Sequence, residues 1–129
     1  ANEAAKTAKK DLEVLAKRGI KPTKMDTEYL TLATKLHQAM DGCATDENAI
    51  YAVFTSLSND ADVLKLIDAF GVRYLVPCAG SEPISYTRYL FDSKTFGGSI
   101  ATWLQYDLTP GEVKKVNDIL AKKSIQYRF

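Results

Sequence analysis

Apolar side chains recur at three- and four-residue spacing along most of this chain, which is the period of an amphipathic helix. The stripes with this spacing are Leu12, Leu15 and Ala16; Leu32, Leu36, Ala39 and Met40; Ile50, Val53, Phe54 and Leu57; Val63, Ile67 and Phe70; Ile100, Trp103 and Leu104; and Val113, Val116, Ile119 and Leu120. Helices this short are marginal in water by themselves, so their apolar faces must pack on one another. The pattern predicts an all-α protein: a compact bundle of about five helices with an N-terminal helical extension.

Helix-breaking residues predict how the chain is divided. Gly19 ends the first helix, so residues 1–25 are interpreted as a helical extension and connector that pack on the bundle or link it to neighbours. Residues 26–129 are interpreted as the main domain. Its last residues, 124–129, alternate apolar and polar side chains and are expected to lie extended against the body.

Capping residues predict where the later helices begin. We expect Asp26 or Thr27 to cap the helix that ends at Met40. The stretch Thr109-Pro110-Gly111-Glu112 has a Thr cap, Pro at the first helical position and Glu three residues after the cap. It therefore predicts the start of the final helix.

Residues 73–99 interrupt the helical pattern with a mixture of helix breakers and aromatic residues. The breakers and rings are Pro77, Gly80, Pro83, Gly97 and Gly98, with Tyr74, Tyr86, Tyr89, Phe91 and Phe96. This composition predicts an irregular, ordered, aromatic-rich insertion, with strand or hairpin character around Tyr86 to Phe91. Two interpretations are open: the rings form a surface for a protein or carbohydrate partner, or they cover the helix bundle.

A polar corner, residues 40–47, separates two of the predicted helices. Gly42 allows the positive φ that would turn the last carbonyls of the first helix outward, and Thr45 or Asp46 can cap the second. Calcium takes six to eight oxygen ligands from carbonyls, carboxylates and water. The spacing alone is compatible with a calcium site and also with a capped corner that binds no ion.

The corner Met40-Asp41-Gly42-Cys43-Ala44-Thr45-Asp46-Glu47 resembles the start of an annexin repeat, Met-Lys-Gly-x-Gly-Thr-Asp-Glu. A second match, Leu104-Gln105-Tyr106-Asp107-Leu108-Thr109, is similar to the annexin segment that supplies a capping carboxylate. Together the matches cover about one repeat, roughly Asp26 to Leu120. The resemblance implies calcium ligands at the carbonyls of Met40, Gly42 and Ala44 and at the side chain of Asp107.

The corner departs from the annexin pattern at several positions. Ala44 replaces the second glycine, and a positive φ there would cost about 1 to 2 kcal/mol. Asp41 replaces a basic residue and adds negative potential, while Cys43 stands at the loop tip. Asp107 is shorter than the more common glutamate, which reduces its bidentate reach.

Composition narrows the classes of function. A chain of 129 residues is long enough for one domain, and its 17 basic and 16 acidic residues leave no bulk attraction to nucleic acid. No apolar run is long enough to span a bilayer. Two cysteines, Cys43 and Cys78, are expected to be free thiols. His37 is interpreted as a partly exposed structural histidine, and no zinc-ligand spacing surrounds it.

No arrangement typical of an enzyme site is found, so we expect a non-enzymatic protein. Two functions follow from the resemblance. In the first, a bound calcium ion retains positive charge and open ligand positions, through which the module binds acidic phospholipid or an acidic protein partner. In the second, the repeat is a scaffold module of a larger bacterial or phage assembly without a functional calcium site.

Overall fold

The computed structural model of the chain describes residues 3–41, 44–74 and 97–129. The helices are α1 (Glu3–Lys17), α2 (Asp26–Met40), α3 (Glu47–Thr55), α4 (Asp60–Phe70), α5 (Ile100–Asp107) and α6 (Pro110–Lys122). A short antiparallel ladder pairs β1 (Arg73–Tyr74) with β2 (Gly97–Gly98). The prediction of an all-α bundle is confirmed, with an N-terminal helix and five further helices among the described residues. Of the described helices, none has the length and apolar character that crossing a bilayer requires.

Helix α4 is central to the packing, because it contacts both α1 and α2, while α3 lies between α2 and α6. The largest fully buried side chains come from α2 to α6, from the corner between α3 and α4 (Leu57) and from the segment after α6 (Ile125). They are Trp103, Tyr29, Phe54, Phe70, Leu36, Ile50, Leu57, Leu66, Ile100, Leu104, Leu120 and Ile125. Helix α1 approaches α4 through small side chains, since Ala5 and Ala8 are both buried. The N-terminal extension therefore packs on the bundle.

The helix starts show which capping predictions were correct. Thr109 and Glu112 form the expected capping box, in which Thr109 Oγ1 accepts from Glu112 N and Glu112 Oε1 accepts from Thr109 N. The expectation that Asp26 or Thr27 caps α2 was wrong, because Met25 is the N-cap residue and gives no side-chain cap. Asp26 is already the first helical residue, and its carboxylate pairs with Lys65 Nζ at 2.6 Å.

The predicted insertion at 73–99 begins and ends in the two-stranded ladder. Arg73 lies opposite Gly98, and Tyr74 lies opposite Gly97. The ladder needs glycine at both positions of β2, since a Cβ on Gly97 would lie 2.2 Å from the Tyr74 ring and one on Gly98 would lie 2.6 Å from Thr102 Cβ. The strand or hairpin expected around Tyr86 to Phe91 lies outside the described residues.

A buried carboxylate, Asp62, holds the connector after α1 against the corner between α3 and α4. Its oxygens accept from Thr23 N at 2.8 Å, from Thr23 Oγ1 at 2.6 Å, from Ser58 N at 2.8 Å and from the Tyr29 hydroxyl. Asp62 itself has no exposed surface. Three separate segments of the chain thus meet on one side chain.

The protonation of this group follows from its partners. Burial by itself would raise the pKa of Asp62, but the hydrogen bonds from Thr23, Tyr29 and Ser58 outweigh burial and hold that pKa below its ordinary value. Burial, and then the hydrogen bond to Asp62, raise the pKa of Tyr29 well above its usual range. The carboxylate is therefore charged and the phenol neutral over the ordinary pH range.

The segment after α6 packs against the bundle, as its alternating pattern predicted, although its first residue, Ser124, is left-handed and not extended. Ile125 is buried, and Asp60 accepts from the backbone N–H groups of Gln126 and Tyr127. Helix α6 ends at Lys122, and two residues later the left-handed Ser124, with φ of 59°, lets Ile125 N donate back to Leu120 O at 3.0 Å. This turn directs Ile125 into the core beside the final helix.

Candidate calcium corner

The corner between α2 and α3 is closed by backbone and side-chain hydrogen bonds. Asp41 N donates to His37 O at 2.8 Å in the last turn of α2, and Asp46 N donates across the corner to Ala39 O at 2.8 Å. The side chain of Asp46 then caps α3 by accepting from Ala49 N at 3.1 Å. Of the two candidate caps predicted from the sequence, Asp46 is the one used.

Asp107 lies at this corner although it is distant in sequence. Its Oδ2 accepts a hydrogen bond from Thr45 Oγ1 at 2.5 Å, across a separation of 62 residues. Asp107 is the last residue of α5, where a side chain can extend past the helix end toward a neighbouring corner. The corner and the distant acid that the sequence singled out are therefore neighbours in the fold.

Two of the three predicted carbonyl ligands belong to described residues. Met40 is the final residue of α2, and Ala44 is an exposed residue just before Thr45. Within residues 3–41, 44–74 and 97–129, no hydrogen bond uses the carbonyl oxygen of Met40 or of Ala44. Gly42, the third predicted ligand, and Cys43 lie outside the described residues, as does Cys78.

The strain considered for Ala44 is not present. Ser124 is the only non-glycine residue with positive φ in the described part of the chain, so Ala44 keeps a backbone conformation that any residue can adopt. The alanine therefore carries no left-handed penalty at this position.

The atoms at this corner that could bind a metal ion are oxygen atoms. In the described ranges, His, Cys, Asp and Glu side chains nowhere gather in threes as a metal-holding group. An ion at this corner would depend on backbone carbonyls together with the Asp107 carboxylate, which is the ligand chemistry of calcium and not of zinc. Of the candidate site residues that the sequence predicted, Asp107 lies at the corner, and the carbonyls of Met40 and Ala44 accept no hydrogen bond from the part of the chain that the structure describes.

A second group of residues lies one helical turn from the corner. The His37 ring has its edge against Trp103, with centroids 5.1 Å apart, and its Nε2 lies 3.2 Å from Tyr74 O and 3.6 Å from Asp41 Oδ2. The indole Nε1 of Trp103 donates to Arg73 O at 3.0 Å. His37 is partly exposed, as expected, but its contacts with β1 and α5 were missed, because only the three-dimensional ladder places Arg73 and Tyr74 between α2 and α5.

Arg73 is held there in a partly buried position. Its Nε donates to Phe70 O at 3.0 Å, and its guanidinium lies 5.1 Å from the centre of the Phe70 ring. Burial lowers the pKa of Arg73 from its ordinary value. The arginine side chain thus fixes β1 to the end of α4.

Neither a protein-family model, nor a curated protein, nor a solved structure matches this chain.

Proposed function

We propose that this chain is a non-enzymatic, annexin-like calcium-binding module, with the ion held at the corner of residues 40–47. The observation that carries the proposal is the contact between Thr45 Oγ1 and Asp107 Oδ2 at 2.5 Å. The resemblance to an annexin repeat singles out one corner and one distant acid, Asp107, and this contact joins the two. A contact between residues 62 positions apart is not a consequence of local capping.

The ligands fit a hard cation. The proposed set consists of the carbonyl oxygens of Met40, Gly42 and Ala44 and the side chain of Asp107. Thr45 supports this set by holding the Asp107 carboxylate toward the corner. Calcium accepts such a mixture of carbonyl, carboxylate and water oxygens, whereas zinc favours His and Cys.

The bound ion would be the group through which the module binds an acidic partner. One carboxylate does not neutralise a divalent cation, so the ion with its three carbonyl ligands and one carboxylate would keep a net positive charge and have ligand positions filled by water. A lipid phosphate or a carboxylate of an acidic protein could replace that water. The partner class we propose is therefore an acidic membrane surface or an acidic protein, and a single site would need multiplicity to bind a membrane strongly.

Calcium binding is tested by thermal unfolding during a calcium titration. An ion that binds only the folded chain stabilises it by about 2.7 kcal/mol when its concentration is 100 times the Kd. We expect the unfolding midpoint to rise with calcium and Asp107→Asn to abolish the rise. Asp118→Asn is the matched control, because it removes the same charge from an exposed residue of α6 that pairs with Lys114.

A rise that persists in Asp107→Asn would place the ion elsewhere and contradict the proposed site. The alternative function, a scaffold module of a larger assembly, predicts no calcium-dependent rise in the parent chain. Sedimentation with vesicles of anionic and of neutral lipid then separates the two partners. Calcium-dependent sedimentation with anionic vesicles alone supports the membrane partner, while calcium binding without sedimentation favours an acidic protein.

A further inference from the structure

The strand β1 contacts both helices that contribute to the proposed calcium corner. Its two carbonyl oxygens are used in succession: Arg73 O accepts from Trp103 Nε1 at 3.0 Å, and Tyr74 O lies 3.2 Å from His37 Nε2. Because a carbonyl oxygen can only accept, the second contact requires a proton on Nε2. One short strand is thus bound to α5 by one carbonyl and to α2 by the next.

These contacts lie one helical turn from the proposed ligands. His37 precedes Met40 by three residues on α2, and Trp103 precedes Asp107 by four residues on α5. Residues at these spacings lie on the same face of a helix. The edge-to-face contact of His37 with Trp103 therefore sets how closely α2 and α5 approach just before the corner.

The strand is itself held in place by close packing. The Tyr74 ring covers Gly97, and Gly98 lies against Thr102 in the first turn of α5, so neither glycine has room for a Cβ. Arg73 is fixed from the other side by its hydrogen bond to Phe70 O. Movement of β1 would therefore disturb α5 and α2 together.

We propose that His37, Trp103, Arg73 and Tyr74 form a clamp that sets the separation between Met40 on α2 and Asp107 on α5, and thereby the calcium affinity of the corner. His37 is the positioning residue of this clamp. The inference rests on the proposed function, since it concerns the affinity of the same site. Partners of metal ligands commonly change metal affinity by about 10- to 100-fold when they are removed.

The test compares His37→Ala with His37→Gln in the full chain, using calorimetric calcium titration. We expect His37→Ala to weaken calcium binding about tenfold. His37→Gln keeps an N–H donor that can reach Tyr74 O, so it should restore most of the affinity. A glutamine variant as weak as the alanine variant would overturn the role of the hydrogen bond.

Loss of stability must be separated from loss of positioning. Val116→Ala is the control, because it opens a cavity in the core at α6, outside the clamp, and should lower the unfolding midpoint without weakening calcium binding. If Val116→Ala weakens calcium binding as much as His37→Ala does, the effect is one of general stability and the clamp is overturned.

Gly98→Ala tests the clamp from its other side with His37 unchanged. Its Cβ would lie 2.6 Å from Thr102 Cβ, so β2 or the first turn of α5 must shift. We expect this shift to weaken calcium binding as well. If the parent binds calcium and both His37→Ala and Gly98→Ala bind it equally well, the clamp is overturned while the corner stands. If the parent binds no calcium, the proposed function fails, and the clamp fails with it.

Discussion

Two corners of this protein are each closed by a carboxylate that comes from outside the turn itself. Asp62 closes the corner between α3 and α4, and Asp107 closes the corner between α2 and α3. Asp62 is fully buried and accepts from three backbone or hydroxyl groups of Thr23 and Ser58 and from the Tyr29 hydroxyl. Asp107 is only partly buried and accepts from Thr45 Oγ1, at a corner where the carbonyl oxygens of Met40 and Ala44 receive no hydrogen bond within the described residues.

The difference lies in the groups that surround each carboxylate. At Asp62 the surrounding groups are donors, so the negative charge is satisfied by the protein alone. Asp107 accepts from Thr45 Oγ1 at a corner where, within the described residues, the carbonyl oxygens of Met40 and Ala44 accept no hydrogen bond, and carbonyl and carboxylate oxygens are the ligands that calcium takes. We therefore interpret the first corner as a structural joint, and the second is the corner for which we propose calcium binding.

Asp62→Asn is expected to produce the largest effect on stability. The amide keeps the size of the side chain but removes the charge and places an NH₂ group among donors, so at least one buried donor of Thr23, Ser58 or Tyr29 loses its acceptor. We expect the free energy of unfolding to fall by about 2 to 4 kcal/mol. Denaturant unfolding measures this loss, and Asp118→Asn, in which the residue is exposed, is the control. A loss equal to that of the control would contradict the structural role of Asp62.

The pH dependence of unfolding should identify the same residue. The pKa of Asp62 is held below its ordinary value of 3.8 in the folded chain, so the unfolded chain takes up the proton first as the pH falls. The stabilisation from Asp62 is fully present above pH 3.8 and is lost as the pH drops through the lower folded-state pKa. Acid unfolding of the parent and of Asp62→Asn, measured side by side, should show that the variant has lost part of this acid sensitivity. Identical acid profiles would contradict the assignment.

The two corners also differ in how far the sequence predicted them. The corner at residues 40–47 and the acid at Asp107 were found because their motifs resemble a known repeat. The role of Asp62 was not predicted from the sequence, although Asp62 follows the capping residue Asn59 by three positions. Its partners Thr23 and Tyr29 come from the connector and α2, and no local pattern indicates contacts across 39 and 33 residues.

Helix positions were predictable for a different reason. Apolar stripes and caps act within one or two turns, so Thr109 and Glu112 predicted the start of α6 from neighbouring residues alone. Met25 shows the limit of this reasoning, because α2 begins at Asp26, one position earlier than a cap at that residue requires, and the methionine at the N-cap position has no side-chain acceptor. Sequence reasoning succeeded where the partner is local and missed contacts between distant segments.

Thr45→Val is expected to give the smallest effect on stability and so to sharpen the contrast between the corners. The substitution keeps the shape of the side chain but removes the hydroxyl that donates to Asp107 Oδ2, and because both groups are only partly buried, water can replace the lost bond. We expect the free energy of unfolding without calcium to fall by about 0.5 to 1.5 kcal/mol.

Thr23→Val is the matched variant at the other corner. It should lower the free energy of unfolding by more than Thr45→Val does, since the Thr23 hydroxyl donates to the buried carboxylate of Asp62. Denaturant unfolding of both variants measures the difference. Equal losses would mean that the hydroxyl contact of Asp107 contributes as much to stability as that of Asp62, and the contrast between the two corners would then disappear.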